Sequence, residues 1–374
     1  MKTQFIVRWK SGKVTAERAA NTQEFFDEVL LKHESEIVQA EHDHRIYIPE
    51  PQKPQFKDNP DLMVDSDVNW GIRKIAADTV WLNAQGTGVT VAVVDSGVDV
   101  SHSQLKNQLF VNFAEKNGTT GVDDDGNGLI DDISGWDFVG NTGTVTDVGQ
   151  HGTHVAGIIA AEHVSSEQVK GVAPGAKLLP LNFMDTSRSG TLSDAIKAID
   201  YAVTKGARVI NASWGGTACS QILQNKISEL GSQGVLFVTA AGNESTDLSV
   251  FPSFPAAYEF AHQITVGAST PNDLRADFSN FSIQFVHLLA PGEDIISTVA
   301  PDDPRSKKDG TSMATPFVAG AAAVLFSSRP SASPEQIKAA ILQSVDTNDN
   351  IVDVQSFGRL NLRKAYNFLN GSSL

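Results

Sequence analysis

Strand and helix alternate along this chain from about residue 70, which predicts an α/β fold. The expected architecture is a mostly parallel sheet with helices on both faces, preceded by a small amino-terminal α+β segment. Two observations carry the prediction. Continuous Val/Ile/Leu-rich runs at residues 89–94, 177–182, 208–211, 235–239 and 263–268 lack a polar face, as strands covered on both sides require. Helical patterns at 151–161, 192–204 and 220–230 fall between them, as crossover connections between parallel strands do. In such sheets, sites form outside the carboxyl ends of the strands.

The chain has 374 residues, 41% hydrophobic and 20% charged, enough for a large core and more than one domain. Its 29 Lys and Arg against 44 Asp and Glu give a formal net charge of -15, which opposes binding to a nucleic-acid backbone, so no nucleic acid is expected as a partner. The single cysteine, Cys219, excludes an internal disulfide framework and is expected to be a packed small residue. No apolar run reads as long enough to span a bilayer, so no membrane partner is expected. Residues 1–10 lack the apolar stretch of a signal peptide. The expectation is a secreted monomer whose signal peptide is not part of these residues, with a cytoplasmic protein as the alternative.

Residues 1–65 form the first unit. Residues 4–9 read as a strand, 21–32 as an amphipathic helix, and 37–48 as one or two further strands. A linker follows, punctuated by Pro49, Pro51, Pro54 and Pro60 and carrying Lys53, Lys57, Asp58 and Asn59, polar chain that is open to cleavage. The boundary therefore falls near 65, and residues 66–374 make up the larger domain.

Near the end of that domain, Gly310-Thr311-Ser312-Met313-Ala314-Thr315-Pro316 runs into a stretch, 317–326, that is small and apolar all round, the pattern of a helix buried inside a domain. Ser312 lies at the mouth of this helix, where unpaired backbone N–H groups and the positive end of the dipole stabilise an adjacent anion. Taken alone, Thr311 or Ser312 reads as a helix cap as readily as a nucleophile. Other polar groups sit at strand ends. Asp95-Ser96-Gly97 follows the run at 89–94, and His151-Gly152-Thr153-His154 opens a helix. Ser213-Trp214-Gly215-Gly216 and Ala240-Ala241-Gly242-Asn243 follow two more strands. A serine nucleophile needs a base for its proton, a carboxylate to fix the base, and donors aimed at the developing oxyanion. Asp95, His151, Ser312, the Asn243 amide and the Ser312 backbone N–H supply these types.

Val94-Asp95-Ser96-Gly97-Val98, His151-Gly152-Thr153-His154-Val155-Ala156-Gly157 and the block from Gly310 to Pro316 resemble the three catalytic blocks of the subtilisin-like serine proteases, in that family's order of Asp, His and Ser. The likeness runs from about residue 70 to 369 and includes Gly171-Val172-Ala173-Pro174-Gly175. It implies a subtilisin-like fold and a serine endopeptidase working through an acyl-enzyme. Asp95 would orient, His151 would be base and acid, Ser312 the nucleophile and Asn243 the oxyanion donor. Ser213, Trp214 and Gly215 would form the edge on which an extended polypeptide substrate lies, with Trp214 offering it an apolar face. Phe251-Pro252 and Phe254-Pro255 resemble the aromatic-proline pair beside the family's first specificity pocket, where a Gly commonly precedes the first aromatic. Val250 stands there instead and is expected to raise the pocket floor, favouring medium side chains. His154 is expected to be structural. The first unit is similar to the family's prosegment, which implies a zymogen whose own amino-terminal segment inhibits it until cut between Pro49 and Asp67. A permanent surface domain of an intracellular enzyme is the competing reading. A non-catalytic peptide-binding relative would be expected to have lost one of Asp95, His151, Ser312 or Asn243, and an esterase lacks its Gly-x-Ser-x-Gly elbow here.

The loop Asp123-Asp124-Asp125-Gly126-Asn127-Gly128-Leu129-Ile130-Asp131-Asp132 offers oxygen ligands at alternate positions, as a hard cation requires. Asp123, Asp125, Asn127, the Leu129 carbonyl and Asp132 are the expected ligands of a structural calcium ion, and the resemblance supports calcium on such an insertion before the His block. Ser134 in place of the closing Glu excludes a true EF-hand. No Lys or Arg lies between Lys116 and Lys170 to neutralise the loop. Gln104 occupies the position of an Asp that serves many members as a ligand of a different, tight calcium site. Val164-Ser165-Ser166-Glu167-Gln168 replaces the usual Asn-rich loop, so that site is not carried over.

Overall fold

The computed structural model describes residues 2–51, 68–164, 168–301 and 303–371. Most of the expected cleavage stretch (52–67) and the centre of the 164–168 segment lie outside the described residues. All five anticipated strands form, as Thr90–Asp95, Lys177–Asn182, Val209–Ala212, Leu236–Ala240 and Gln263–Ser269. They lie in a nine-stranded sheet in which Leu288–Pro291, Gly358–Arg359 and Asp346–Thr347 extend one edge beyond Gln263–Ser269, and Trp136–Asp137 closes the other beyond Lys177–Asn182. Pairing is parallel throughout except between Asp346–Thr347 and Gly358–Arg359. The four added strands are two to four residues long, too short to show a period.

Each strand feeds both faces of the sheet. Val91 and Val93 pack with the helices Gly152–Ala160 and Thr311–Ser328, whereas Ala92 and Val94 pack with Leu192–Thr204 and Gln221–Leu230. This alternation explains why the strand sequences carry apolar residues on both faces rather than on one. The helices on the second face start at side-chain caps, Thr191 accepting from the Asp194 N–H and Ser220 from the Leu223 N–H.

The first unit is a three-stranded antiparallel sheet, Val14–Ala19, Thr3–Trp9 and Ile37–His42 in that spatial order. The helix expected over 21–32 begins as one α-turn, Thr22–Phe25, and continues as a π-helix, Phe26–Leu30. The wider turn brings Phe25 and Leu30 onto the sheet together, with Phe25 stacked on Phe5 at 4.0 Å between ring centroids. The unit docks on the larger domain by its carboxylates. Asp43 accepts from the Ser193 N–H at 2.9 Å and Glu41 from the Gln221 N–H at 3.2 Å, so each sits at the start of a helix, where negative charge is stabilised. Past Asp43 the chain leaves the small sheet. Arg45–Tyr47 pairs antiparallel with Ser189–Thr191 of the larger domain.

The helix Thr311–Ser328 is buried along nearly its whole length. It is in fact long and apolar enough to cross a membrane, but its burial makes it the core helix of the domain. One other expectation is corrected. Cys219 is exposed, not packed. At Gln104 the structure shows what replaces the absent calcium ligand: its Nε2 donates to the carbonyls of Glu162 and Val169, both at 2.8 Å, bridging the ends of the segment with an amide.

Candidate active site

Asp95 ends its strand fully buried and His151 is the N-cap of the helix Gly152–Ala160. The two elements touch because residue 152 is glycine; a Cβ there would lie 1.9 Å from the Gly97 carbonyl oxygen. The result is a 2.8 Å contact between His151 Nδ1 and Asp95 Oδ1, an oxygen that also accepts from the Ser96 N–H at 2.7 Å. His151 Nε2 is buried and has no hydrogen-bond partner among the described residues. A carboxylate on one ring nitrogen and an open second nitrogen is the arrangement of a general base.

Ser312 stands in the first turn of the core helix. Its Oγ donates to the Ser213 carbonyl at 3.1 Å and not to His151. Pro316, four residues on, has no N–H to give to the Ser312 carbonyl, and that carbonyl accepts from Ser213 Oγ at 3.0 Å instead. Helix mouth and edge strand are thereby tied together. Beside them Asn243 is oriented by Thr311, whose N–H and Oγ1 both donate to Asn243 Oδ1 at 2.9 Å. This turns the Asn243 amide nitrogen toward the space next to Ser312. Residue 310 has φ 146° and a Cβ there would sit 3.4 Å from Asn243 Nδ2 and 3.5 Å from the Ser312 nitrogen, so only glycine leaves that space open. Sequence reading makes Thr311 a cap at most; its role as the orienter of Asn243 emerges from contacts between blocks distant in the chain.

The space is occupied by the chain itself. Asn243 Nδ2 donates to the Pro49 carbonyl at 2.7 Å. Tyr47 and Gly215 exchange two backbone hydrogen bonds of 3.0 Å, and the Ile48 N–H donates to the Arg188 carbonyl at 3.3 Å. Residues 45–49 are thus an extended strand between Ser189–Thr191 and the 213–215 edge. In this antiparallel register the next hydrogen-bonded pair after Tyr47 and Gly215 is Pro49 with Ser213. Proline has no N–H to donate, and Ser213's carbonyl takes the Ser312 hydroxyl.

The other anticipated positions fare differently. Trp214 is buried, its indole N–H donating to the Val94 carbonyl at 2.9 Å and its ring edge-on to Phe183; it shares an apolar cluster with Ile46 and Ile48 of the resident strand. Val250 does not close a pocket floor. It is 63% exposed, on a turn whose Val250 and Phe251 N–H groups both bond the Asp247 carbonyl, and Ser253 is the residue behind Gly215. In the acidic loop, carboxylate oxygens of Glu115, Asp125 and Asp132 converge within 4.8 Å. The loop is not left without a cation, because Lys205 reaches in from its helix's C-terminus to Asp125 at 2.5 Å and Asp132 at 3.0 Å. Burial opposes the Lys205 charge, but those two carboxylates outweigh it and hold its pKa above the usual lysine range. Asp132 is further engaged by Asn112, Asn127 and Tyr201, while Asp123 accepts from the N–H groups of Gly126, Asn127 and Gly128.

A hydroxyl, an imidazole fixed by a buried carboxylate and an amide aimed beside the hydroxyl, all at the carboxyl ends of parallel strands, define a hydrolase of the serine type. Residues 86–359 match the model of the subtilase family. Thermitase of Thermoactinomyces vulgaris is 35% identical over 303 residues, covering 81% of this chain and 97% of that protein. Subtilisin DY of Bacillus licheniformis is 34% identical over 75% of this chain and 92% of its own length. Subtilisin-like protease 1 of Plasmodium berghei is 35% identical over 68% of the chain, which spans only 45% of that larger protein. Among solved structures, a cold adapted subtilisin-like serine proteinase superposes with a TM-score of 0.65 at 29% identity, over 79% of this chain and 98% of that one. The chain belongs to the subtilase family. It is accordingly a serine endopeptidase that hydrolyses polypeptides.

His154, one turn along the same helix, is fully buried and its Nε2 lies 3.0 Å from the Ser306 carbonyl. Burial, with repulsion from Lys308 second, pushes its pKa down to about 3, so it is neutral in the folded protein. The unfolded imidazole has its ordinary value of 6.5, so between these values the unfolded chain binds the extra proton and stability falls as pH drops. In a Ser312→Ala background, chosen against self-digestion, urea unfolding from pH 6 to pH 4 should therefore lose about 1.4 kcal/mol per pH unit more with His154 than with His154→Gln. Equal slopes would contradict a neutral, buried His154.

Proposed function

We propose that Ser312 is the nucleophile, His151 its base and acid, Asp95 the group that fixes His151, and Asn243 with the Ser312 N–H the oxyanion site. The 2.8 Å contact of His151 Nδ1 with buried Asp95 is the observation that carries this assignment. For attack, Ser312 Oγ exchanges its bond to Ser213 for one to His151 Nε2, which accepts the proton as Oγ adds to the substrate carbonyl. The negative oxygen forms where the Pro49 oxygen now lies, against the Asn243 amide. His151 returns the proton to the departing amine, and water then releases the acyl group by the same route.

The amino-terminal segment is, in this proposal, an inhibitor held in the same chain, and 1–65 and 66–374 are inhibitor and protease. It fills the groove as a substrate would, and its proline leaves the nucleophile bonded to Ser213, away from the base. Such restraint suits a protease activated after export, and we place its action outside the cell, as a monomer without membrane or nucleic-acid partners. Ser312→Ala or His151→Ala should lower turnover about a millionfold, and Asn243→Ala about a hundred- to a thousandfold, magnitudes carried over from subtilisin. Intact mass should also show Ser312→Ala at full length where the parent has shortened. Near-normal peptidase rates in Ser312→Ala, or equal shortening of both chains, would contradict the assignment.

Calcium belongs to the proposal as a structural ion on the acidic loop. The oxygen donors suit it, with Asp123, Asp125, Asn127 and the Leu129 carbonyl on the exposed side, while Asp132, saturated by donors that include Lys205, serves as an anchor behind them. A bound ion would close the loop and stabilise the folded state alone. In the Ser312→Ala protein, millimolar calcium should raise the melting temperature above that with chelator, and Asp125→Ala should abolish the difference. A parent that contains no metal by elemental analysis and melts identically in both conditions would show that Lys205 alone neutralises the loop.

A further inference from the structure

Beyond the bond marked by Pro49, the groove changes character. Residue 50 follows the carbonyl held by Asn243, so in the substrate-like register just proposed Glu50 stands where the first residue of the leaving product would stand. Its carboxylate is paired with the Arg188 guanidinium. The small cavity there, about 190 Å³, is lined by His151, Ser312 and Met313 together with Arg188, Lys307, Lys308 and Asp309. Three cations gather at this spot in a chain of net charge -15. They are not equivalent. Lys307 is spoken for by Asp294 at 3.1 Å, whereas Lys308 has no hydrogen-bonded carboxylate among the described residues, and burial together with repulsion from Arg188 pushes its pKa down. The Asp309 carboxylate beside them accepts from the Asp294 N–H. Asp309 also lines the cavity, and Asp147 and Asp95 oppose the fall in the Lys308 pKa, so the selective feature is local: the Glu50 carboxylate meets the Arg188 guanidinium directly, with Lys308 in the same lining.

Arg188 is also held there at a cost. It has φ 55°, the left-handed region that glycine occupies most cheaply, in a turn closed by the Arg188 N–H on the Asp185 carbonyl at 2.9 Å and the Asp185 N–H on the Ser189 carbonyl at 3.0 Å. From that position one residue touches the bound strand twice. Its carbonyl takes the Ile48 N–H, and its guanidinium takes the carboxylate of Glu50.

We infer that Arg188, with Lys308 behind it, makes this protease selective for polypeptides bearing an acidic residue immediately after the scissile bond. The inference rests on the proposed reading of residues 45–49 as a strand bound like a substrate. No step of the chemistry changes; the acidic side chain is held while His151 delivers its proton to the amine of that same residue.

The test uses the active enzyme produced from the full chain and internally quenched peptides with Ile-Tyr-Ile-Leu before the scissile bond and Glu, Gln or Lys after it. At low salt kcat/KM should be about 3- to 10-fold higher for Glu than for Gln, the range between an exposed ion pair and a charge-assisted hydrogen bond, with Lys poorest. The preference should shrink as salt is raised. Arg188→Ala should bring the Glu to Gln ratio close to one, Arg188→Lys should keep part of it, and Arg188→Glu should favour Lys. Equal rates for Glu and Gln in the parent, with product masses showing cleavage after Leu, would overturn the inference and leave the register intact. A preference undiminished in Arg188→Ala and Arg188→Glu would overturn it as well. Cleavage at other bonds would overturn the register and the inference with it.

Discussion

The helix Thr311–Ser328 is apolar on every side, so it is stable only inside the domain, and its position there sets the first turn against the carboxyl ends of the strands. Three bonds then fix that turn. Thr311 holds Asn243, Ser213 Oγ holds the Ser312 carbonyl that Pro316 leaves free, and the Ser213 carbonyl holds the Ser312 hydroxyl. Because these residues come from two strand ends and one helix start far apart in sequence, the geometry beside Ser312 depends on the packing of the whole sheet. Loosening the core helix would move the hydroxyl, the amide and the edge strand relative to one another, and a shift of this kind is costly for catalysis.

In the function we propose, the same edge explains how one groove can be both ready and idle. Backbone pairing with Gly215 and Arg188 accepts any extended chain, since main-chain bonds carry no side-chain requirement. What distinguishes the resident strand is its proline. Without an N–H at residue 49 the Ser213 carbonyl stays available to Ser312, and the base nitrogen of His151 stays without a partner. A substrate with an N–H at that position competes for the Ser213 carbonyl and releases the hydroxyl toward His151. Under that proposal, inhibition and activation differ by the occupant of a single carbonyl.

The long, regular features were legible in the sequence. The central strands read as continuous apolar runs because both of their faces are covered, and the core helix reads as apolar all round for the same reason. Asp95, His151, Ser312 and Asn243 stand out in the sequence because each lies at or just past a strand end, or at a helix start, within a compact motif. What stayed hidden was set by contacts between remote segments. Lys205 lies far outside the acidic loop that it enters, so a count of charges within the loop could not find it. Gln104 looked like a lost ligand, and only the converging Glu162 and Val169 carbonyls make it a bridge. Val250 was read through an alignment that assumed the preceding loop keeps its course, whereas the turn on Asp247 lifts it to the surface. The π-helical turn at Phe26–Leu30, which follows the Phe25 ring stacked on Phe5, is not encoded by a helical period.

The central claim is that Ser312 is a nucleophile kept idle by the strand ending at Pro49. It is tested most directly by intact mass after brief exposure of the purified parent protein to a serine-directed fluorophosphonate. The account predicts that chains retaining the amino-terminal segment gain no mass, while shortened chains gain one adduct, located at Ser312. Full-length chains labelled as fast as shortened ones, or an adduct at any other residue, would contradict it.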